Sequence, residues 1–343
     1  VSGGIPFGNV EIENLRLTGG RYGLYVVGAS NVVLRNVQFT GNQWGVSLVG
    51  GASGLRFERC LAANNAAGAF SAEVGSVRDN HWKNSVMWGN PTIIMSPSNS
   101  VTVSNSILGN GTSLFGNQVV PGDHNVIWNT GVGLSYSSFS AFQNAGYWPR
   151  SLFANPLFAN TGAGDYHLKS LMGRYDTNLL TFATNDPVHS PAIDFGDPVA
   201  SVSNEPPPNG TRLNVGMFGG TVQASKSRTN AWLQTISYMD GGTLDAQAGS
   251  WLRWTGSAFD PTNLVTLWLS RDSGQSWDLL VTNVTATNGA YFFSTSSTND
   301  PSSTNALWRI TLDGADPEVS SQTGVDFTYK SGPYIFYVND SST

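Results

Sequence analysis

Between Asn9 and Ser76 one pattern is written three times, and few folds accommodate that. Asn9-Val-Glu-Ile-Glu-Asn-Leu-Arg-Leu-Thr-Gly-Gly20 lies over Asn31-Val-Val-Leu-Arg-Asn-Val-Gln-Phe-Thr-Gly-Asn42, and that over Gly54-Leu-Arg-Phe-Glu-Arg-Cys-Leu-Ala-Ala-Asn-Asn65, at offsets of 22 and 23 residues. A period of this length, made of short alternating segments parted by Gly and Asn, marks a solenoid. Each copy can bury its apolar face only against the next.

Within the first copy Val10 and Ile12 alternate with Glu11 and Glu13, so a strand turns two apolar side chains inward and two charged ones to solvent. Asn14 breaks the alternation, and Leu15 and Leu17 resume the inward face with Arg16 outside. Asn tolerates the left-handed conformation such a bend requires. The same reading places Val32, Leu34, Val37 and Phe39 inward around Asn36, and Leu55, Phe57, Cys60 and Ala62 inward around Arg59. A third strand begins at Gly23, Gly45 and Gly68. Three short strands per coil predict a parallel β-helix. Asn84-Ser-Val-Met-Trp-Gly-Asn90 and Asn105-Ser-Ile-Leu-Gly-Asn110 repeat the bend in two looser coils, and Asn125-Val-Ile-Trp-Asn129 begins a partial sixth. Asn14, Asn36, Asn84 and Asn105 are expected to stack, their amides hydrogen-bonding along the axis in a ladder that Arg59 interrupts.

Only 12% of the 343 residues are charged and the net charge is -6, which argues against nucleic acid, whose binding needs clustered Lys and Arg. Abundant Gly, 11 Trp, and turns filled with Asn, Ser and Thr describe an all-β secreted protein. No apolar run reaches transmembrane length, so no membrane insertion is expected. The single cysteine, Cys60, shares the inward column with Leu15 and Val37 and reads as a small core residue. Val1 is not Met and opens almost directly on a coil. An uncapped solenoid end exposes strand edges, so the β-helix is expected to be truncated at its N-terminus, a piece of a longer polypeptide.

After the coils, Phe139, Phe142 and Ala145 fall at helical spacing, predicting a short helix over the end of the stack. From Ala231 onward, Trp251-Leu-Arg-Trp-Thr-Gly256, Val265-Thr-Leu-Trp-Leu-Ser270, Ala290-Tyr-Phe-Phe-Ser294 and Ala306-Leu-Trp-Arg-Ile-Thr-Leu312 read as strands of an immunoglobulin-like or fibronectin-like sandwich. The expected organisation is β-helix coils over 1–150, a closing or capping segment over 151–228, a β-sandwich over 229–332, and a connector over 333–343.

Four motifs lie in the closing stretch: Asn155-Pro-Leu-Phe158, Gly164-Asp-Tyr-His-Leu-Lys169, Ser190-Pro-Ala-Ile-Asp-Phe-Gly-Asp-Pro198 and Pro208-Asn-Gly-Thr-Arg-Leu-Asn-Val-Gly-Met-Phe-Gly-Gly220. As an ordered set they resemble the closing segment of right-handed parallel β-helix repeat proteins, extracellular proteins of environmental bacteria with folds similar to pectate lyases. The resemblance covers residues 1–225 and implies an all-β chain, a right-handed parallel β-helix followed by a C-terminal β-sandwich. In very large members β-helix units alternate with small sandwich units, and Phe336-Tyr-Val-Asn-Asp-Ser-Ser-Thr343 resembles the lead-in to another β-helix unit. One unit of a large repeat protein is implied.

Candidate chemistry is sparse. Ser270-Arg-Asp-Ser-Gly-Gln-Ser-Trp277 matches the Asp-box of sialidases and related β proteins. There Asp272 is expected to accept backbone hydrogens in a tight turn, Gly274 to supply the positive dihedral and Trp277 to pack beneath, a structural hairpin. Asp79, His81 and Lys83 form the one mixed cluster on the coils and the candidate catalytic group for a lyase or hydrolase, yet the family motifs of pectate lyases and polygalacturonases are absent. The charges Glu11, Glu13, Glu58, Arg16, Arg35, Arg56 and Arg59 read as solvated strand-face pairs. His81, His124, His167 and His189 are too dispersed for a metal set. Asp194 with Asp197, and Asp313 with Asp316, flank loop glycines and are the candidates for calcium, without the dense oxygen spacing of a dedicated loop. Trp44, Trp82, Trp88, Trp128, Tyr147 and Trp148 are either exposed platforms for sugar rings or an aromatic stack.

These features point to a structural or adhesive segment of a large extracellular or cell-surface protein, without turnover. Its partners would be neighbouring repeat units, other chains of a surface assembly, or glycans. The competing reading is a secreted carbohydrate-active module, lyase or glycan-binding, that uses the groove along the coils.

Overall fold

A computed structural model describes residues 10–75, 77–257, 260, 262–295, 300–315 and 318–332. They fall into two compact units, the second beginning at Leu233, with Thr255–Phe259 grouped with the first. The connector expected over 333–343 lies outside the described residues.

The first unit is a right-handed parallel β-helix in which each coil gives one strand to each of three sheets. The first sheet stacks Val10–Glu13, Val32–Arg35, Arg56–Glu58, Asn80–Lys83, Val101–Ser104 and Gly122–Asp123. The second runs from Arg16–Thr18 through Gln38–Thr40, Leu61–Ala63, Val86–Trp88, Ile107–Gly109 and Val126–Trp128 to Leu152–Phe153. The third stacks Tyr22–Val27, Trp44–Val49, Gly68–Ala72, Thr92–Met95 and Ser113–Phe115. Pairing brings Ile12 beside Leu34, Phe39 beside Ala62 and Leu24 beside Val46, as the alternation requires. Between the first and second strands a single left-handed residue turns the chain: Asn14, Asn36, Arg59, Asn84, Asn105 and His124 all have φ between 49° and 55°. Inside, Trp82 lies flat on Phe57, with ring centres 4.4 Å apart, and meets Phe39 and Phe70 edge-on. The helix Phe139–Asn144, N-capped by Ser138, sets Phe142 against Phe115 and Trp148 at the far end of this core.

The bend asparagines form less of a ladder than expected. Asn36 Nδ2 donates to Asn14 Oδ1 at 2.8 Å, but Asn84 Nδ2 donates to Gly219 O and Asn105 Oδ1 accepts from Asp197 N, so the upper two amides tie the coils to a later segment. Two buried ladders run in the interior instead. At the second bend the amides of Gly20, Asn42 and Asn65 donate to Asn42, Asn65 and Asn90 Oδ1, each at 3.0 Å. Their Nδ2 groups reach inward to Leu17, Phe39 and Ala62 carbonyls. At the first bend the amides of Cys60, Ser85, Ser106 and Asn125 donate in turn to Ser85 Oγ, Ser106 Oγ, Asn125 Oδ1 and Ser151 Oγ, at 3.0 to 3.1 Å. Cys60 is wholly buried in this column. Such chains satisfy the buried amides that a one-residue bend leaves without a sheet partner.

Residues 155–227 make up most of the segment expected to close or cap the β-helix, and they lie along its flank. Leu152–Phe153 still pairs with the coil below it, after which the chain turns back and lies on the outer flank of the second sheet. Phe158 packs edge-on against Trp88, Gly216 N donates to Asn105 O, and Gly216 sits against the Ile107 side chain. The flank's composition follows this cover. Outward positions are Arg16, Thr18, Gln38 and Thr40 on the first two coils, then Leu61, Val86, Trp88, Ile107 and Val126, which are buried although they face away from the core.

The second unit is a β-sandwich. Trp232–Thr235, Ser250–Ser257 and Ala290–Phe293 form one sheet. In the other, Thr243–Asp245, Phe327–Lys330, Ser303–Leu312, Leu264–Ser270 and Asp278–Thr285 follow in that order, with Ser320–Gln322 on Ser303–Leu312. Leu252, Trp254, Leu267, Leu269, Ile310 and Tyr329 supply its core. One pairing, Thr243–Asp245 with Phe327–Lys330, is parallel.

Candidate functional site

Asp79, His81 and Lys83 stand in a line along the first sheet's flank without converging. Asp79 occupies a left-handed bend, its carboxylate 3.9 Å from Arg78 and largely exposed. His81 and Lys83 point outward on either side of buried Trp82, with Arg56 and Thr102 beside His81 and Glu58 and Ser104 beside Lys83. Lys83 thereby continues an outward column whose sign alternates from coil to coil: Glu13, Arg35, Glu58, Lys83. Arg35 is the centre of this column, 2.9 Å from Glu11, 3.2 Å from Glu13 and 3.0 Å from Glu58. The hydrogen bonds it donates to Glu11, then Glu58 and Glu13, raise its pKa further. The strand-face charges expected to be scattered therefore include one clamp across three coils.

A set of buried titratable groups lies in the flank cover and on the sixth coil, its members far apart in sequence. Asp194 is buried, its Oδ1 accepting from Ser227 Oγ at 2.7 Å and from Gly210 N at 3.2 Å. Burial pushes this carboxyl up to about 6 despite those donors. Glu205 Oε1 accepts from Asn214 N and Gly220 N at 3.0 and 2.8 Å while Oε2 is buried without a partner, and burial pushes the group up to about 7. Arg212 donates to the carbonyls of Phe195 and Gly196, both at 2.8 Å, and burial brings it down to about 10. His124, also buried, is lowered by desolvation beside Asp123, which itself holds Arg150 at 2.8 Å. These groups spend their hydrogen bonds on backbone, on the hydroxyls of Ser227 and Thr255 and, for Asp123, on Arg150, which is the behaviour of a structural network. Asp197, expected with Asp194 as a candidate for calcium, accepts from Val199 N through its Oδ1 at 3.1 Å. Asp313 accepts from Thr266 Oγ1 at 2.7 Å, and its proposed companion Asp316 lies outside the described residues. Among the described residues no group of three or more His, Cys, Asp or Glu is arranged to hold a metal ion.

His167 is buried in the cover, stacked on Phe218 at 3.5 Å, with Nδ1 2.7 Å from Asp165. Asp165 and Asp186 both reach Arg174, at 3.5 and 3.1 Å, which ties two turns of the cover together. A cavity of about 10 Å³ beside Phe218 and Asn214 has room for one water.

The aromatic candidates divide. Trp82 and Trp148 are core residues, Trp88 is buried under Phe158, and Trp128 packs on Phe153. Tyr147 is exposed and stacks on Phe142. Trp44 is the one that lies on an outer face, its ring covering Gly68 so closely that a β-carbon there would sit 2.3 Å away. Its neighbours are Tyr22, one coil away, and Tyr25, whose rings stack at 4.9 Å with Tyr25 44% exposed. The two tyrosines went unnoticed in the sequence. Their signal is that aromatic residues occupy outward positions of two successive third-sheet strands.

In the second unit the Ser270–Trp277 turn closes on Asp272. Its Oδ1 accepts from Ser276 N at 2.9 Å and from Ser270 Oγ at 2.7 Å, and its Oδ2 from Ser276 Oγ at 2.6 Å, which together hold the carboxyl down at about 2. Gly274 has φ 88° and Trp277 Nε1 donates to its carbonyl. Arg309 lies over the Trp277 ring at 4.4 Å, so this tryptophan holds a strand of the sheet as well as the turn.

Residues 2–145 match the family model for the right handed beta helix region. No curated protein and no solved structure matches the chain. The match and the stacked coils agree on a β-helix fold for the first part of the chain.

Proposed function

We propose that this chain is a structural or adhesive segment of a larger secreted or cell-surface repeat protein. The observation that carries the reading is the pair of buried ladders along the axis of the coils, from Gly20 to Asn90 and from Cys60 to Ser151. Each rung joins one coil to the next in addition to the strand pairing, so the stack resists shear between coils. The Arg35 clamp adds to this on the outside. Polar side chains are thus used to hold coil to coil, as a load-bearing rod demands. The test is the mass of the native polypeptide, by denaturing gel with peptide mapping across Val1 and Thr343. A mass far above 36.6 kDa with peptides running through both ends supports the reading. A native chain ending near these residues, or release of unsaturated oligosaccharides from a uronate polysaccharide, overturns it.

A second reading, glycan binding, draws on the face formed by Tyr22, Tyr25 and Trp44, where ring faces meet outward Ser47 and Ser71 on the following strands. Retardation on glycan-coated surfaces that vanishes in Tyr25→Ala supports it.

A further inference from the structure

The cover over the second sheet is built differently from what it covers. Across residues 155–227 regular structure amounts to two short antiparallel pairs, Phe158–Asn160 with Asp165–Leu168 and Arg174–Asp176 with Thr181–Ala183, and one 3-10 turn. Its directional bonds to the coils are few: Gly216 N to Asn105 O, Asp197 N to Asn105 Oδ1, and Asn84 Nδ2 to Gly219 O. The coils carry strand pairing and two ladders. A segment of low bond density packed on a rigid stack is where local opening costs least.

What holds the cover together internally is a network around two acids. Glu205 gathers Asn214 and Gly220, Asp194 gathers Gly210 and Ser227, and Asn214 joins the two halves by accepting from Asp194 N and donating to Ser225 O. The charged groups facing this network are Arg212 and Asp197 on the cover and Asp123, His124 and Arg150 at the sixth coil, and Asp194 itself acts on Glu205; His189, also on the cover, faces Arg228. Arg212 is the cation felt by Asp194, and it is itself committed to two carbonyls.

We propose that residues 155–227 open from the second sheet as one cooperative unit, and that protons on Glu205 and Asp194 latch the unit shut. Burial favours the neutral form of both acids, and Glu205 Oε2 has no donor to stabilise a charge. Opening here is local unfolding of the segment, which unravels the internal network together with the contacts to the coils and returns both carboxyls to water, where they ionise at their ordinary pKa values of about 4. Raised folded pKa values mean that the closed form binds more protons, so the closed state weakens as pH rises from about 4 toward 7. His124 and His189 act in the opposite sense, because burial lowers both. Opening uncovers Val86, Ile107 and Val126, an apolar strip along the second sheet.

The test is hydrogen exchange on the whole chain, read at the amides of Gly210, Asn214 and Gly220, in wild type and in a Glu205→Gln, Asp194→Asn variant. Both proteins carry the histidines, so the ratio of wild-type to variant opening constants isolates the acids. That ratio is expected to rise on the order of a thousandfold between pH 5 and pH 8, while coil amides such as Asn65 are unaffected. Should the double variant not fold, Glu205→Gln alone serves, with a rise on the order of a hundredfold expected. Cover and coil amides opening with one common free energy would overturn the separate unit. A ratio flat with pH would overturn the latch.

Discussion

Replacing Asn65 by Ala tests whether the interior ladder bears load. In the folded chain Asn65 Oδ1 accepts from Asn42 N at 3.0 Å, and Asn65 Nδ2 donates to Phe39 O at 3.0 Å and Asn90 Oδ1 at 2.9 Å. The side chain is 1% exposed. Truncation removes the acceptor of one buried amide and the donor to one buried carbonyl. Asn90 Oδ1 keeps the Asn65 backbone amide and is not orphaned. Two buried groups at about 1–3 kcal/mol each give a loss of about 2–6 kcal/mol, a large part of a domain's total stability. The assay is urea unfolding followed by far-ultraviolet circular dichroism, with the first transition assigned to the first unit by the loss of its exchange-protected amides. A loss under about 1 kcal/mol would refute the reasoning, since it would mean that the stack relaxes to satisfy both groups. Asn36→Gly is the control: its rung is exposed, and glycine accepts the left-handed bend, so little change is expected.

Three further outcomes are expected. Cys60 Sγ lies wholly buried with its thiol pushed up to about 12 by desolvation, so a thiol reagent at pH 8 should react only in denaturant, and reaction with the native chain would contradict the packing. His189 is brought down to about 4 by burial and by Arg228, so it contributes stability above pH 6.5 that is lost as pH falls toward 4; a His189→Gln chain should lose less between those limits, measured by thermal melting across pH. Arg35→Gln should lower the melting temperature at low salt, with the deficit shrinking as ionic strength rises, and a deficit indifferent to salt would mean that packing, not charge, is what Arg35 supplies.

The coil register was legible because it rests on neighbours in sequence. Alternation fixes which of Val10 to Glu13 point inward, and a single Asn or Arg with left-handed backbone is enough to turn the chain. The Asp272 turn is local in the same way, every donor lying within four residues. Asn42, Asn65 and Asn90 look like ordinary turn residues in the sequence, and only stacking reveals that the turn points them inward. The cover escaped for a different reason. Its partners, such as Asn84 and Gly219, are 135 residues apart, and no periodicity spans such a distance. A trace was nevertheless present: outward positions of the second strand change from Arg16 and Gln38 to Val86 and Ile107, which a solvent-facing strand has no reason to do. The buried acids gave no such trace, since Glu205 before three prolines reads as a loop residue.

That change of composition along the flank also limits how the molecule can grow. A solenoid lengthens by duplicating a coil, and each insertion advances everything beyond it by about 4.8 Å. Between the first and second coils, where Arg16 and Gln38 face water, an added coil meets nothing and disturbs no contact of the cover. Between the coils of Asn84 and Asn105 the same insertion pulls apart two anchor points that one continuous segment, Asp197 to Gly219, must reach together. The fold thus contains a length-variable half and a length-fixed half. Descendants of different size are expected to differ in the number of polar-flanked coils and to keep the apolar-flanked ones constant.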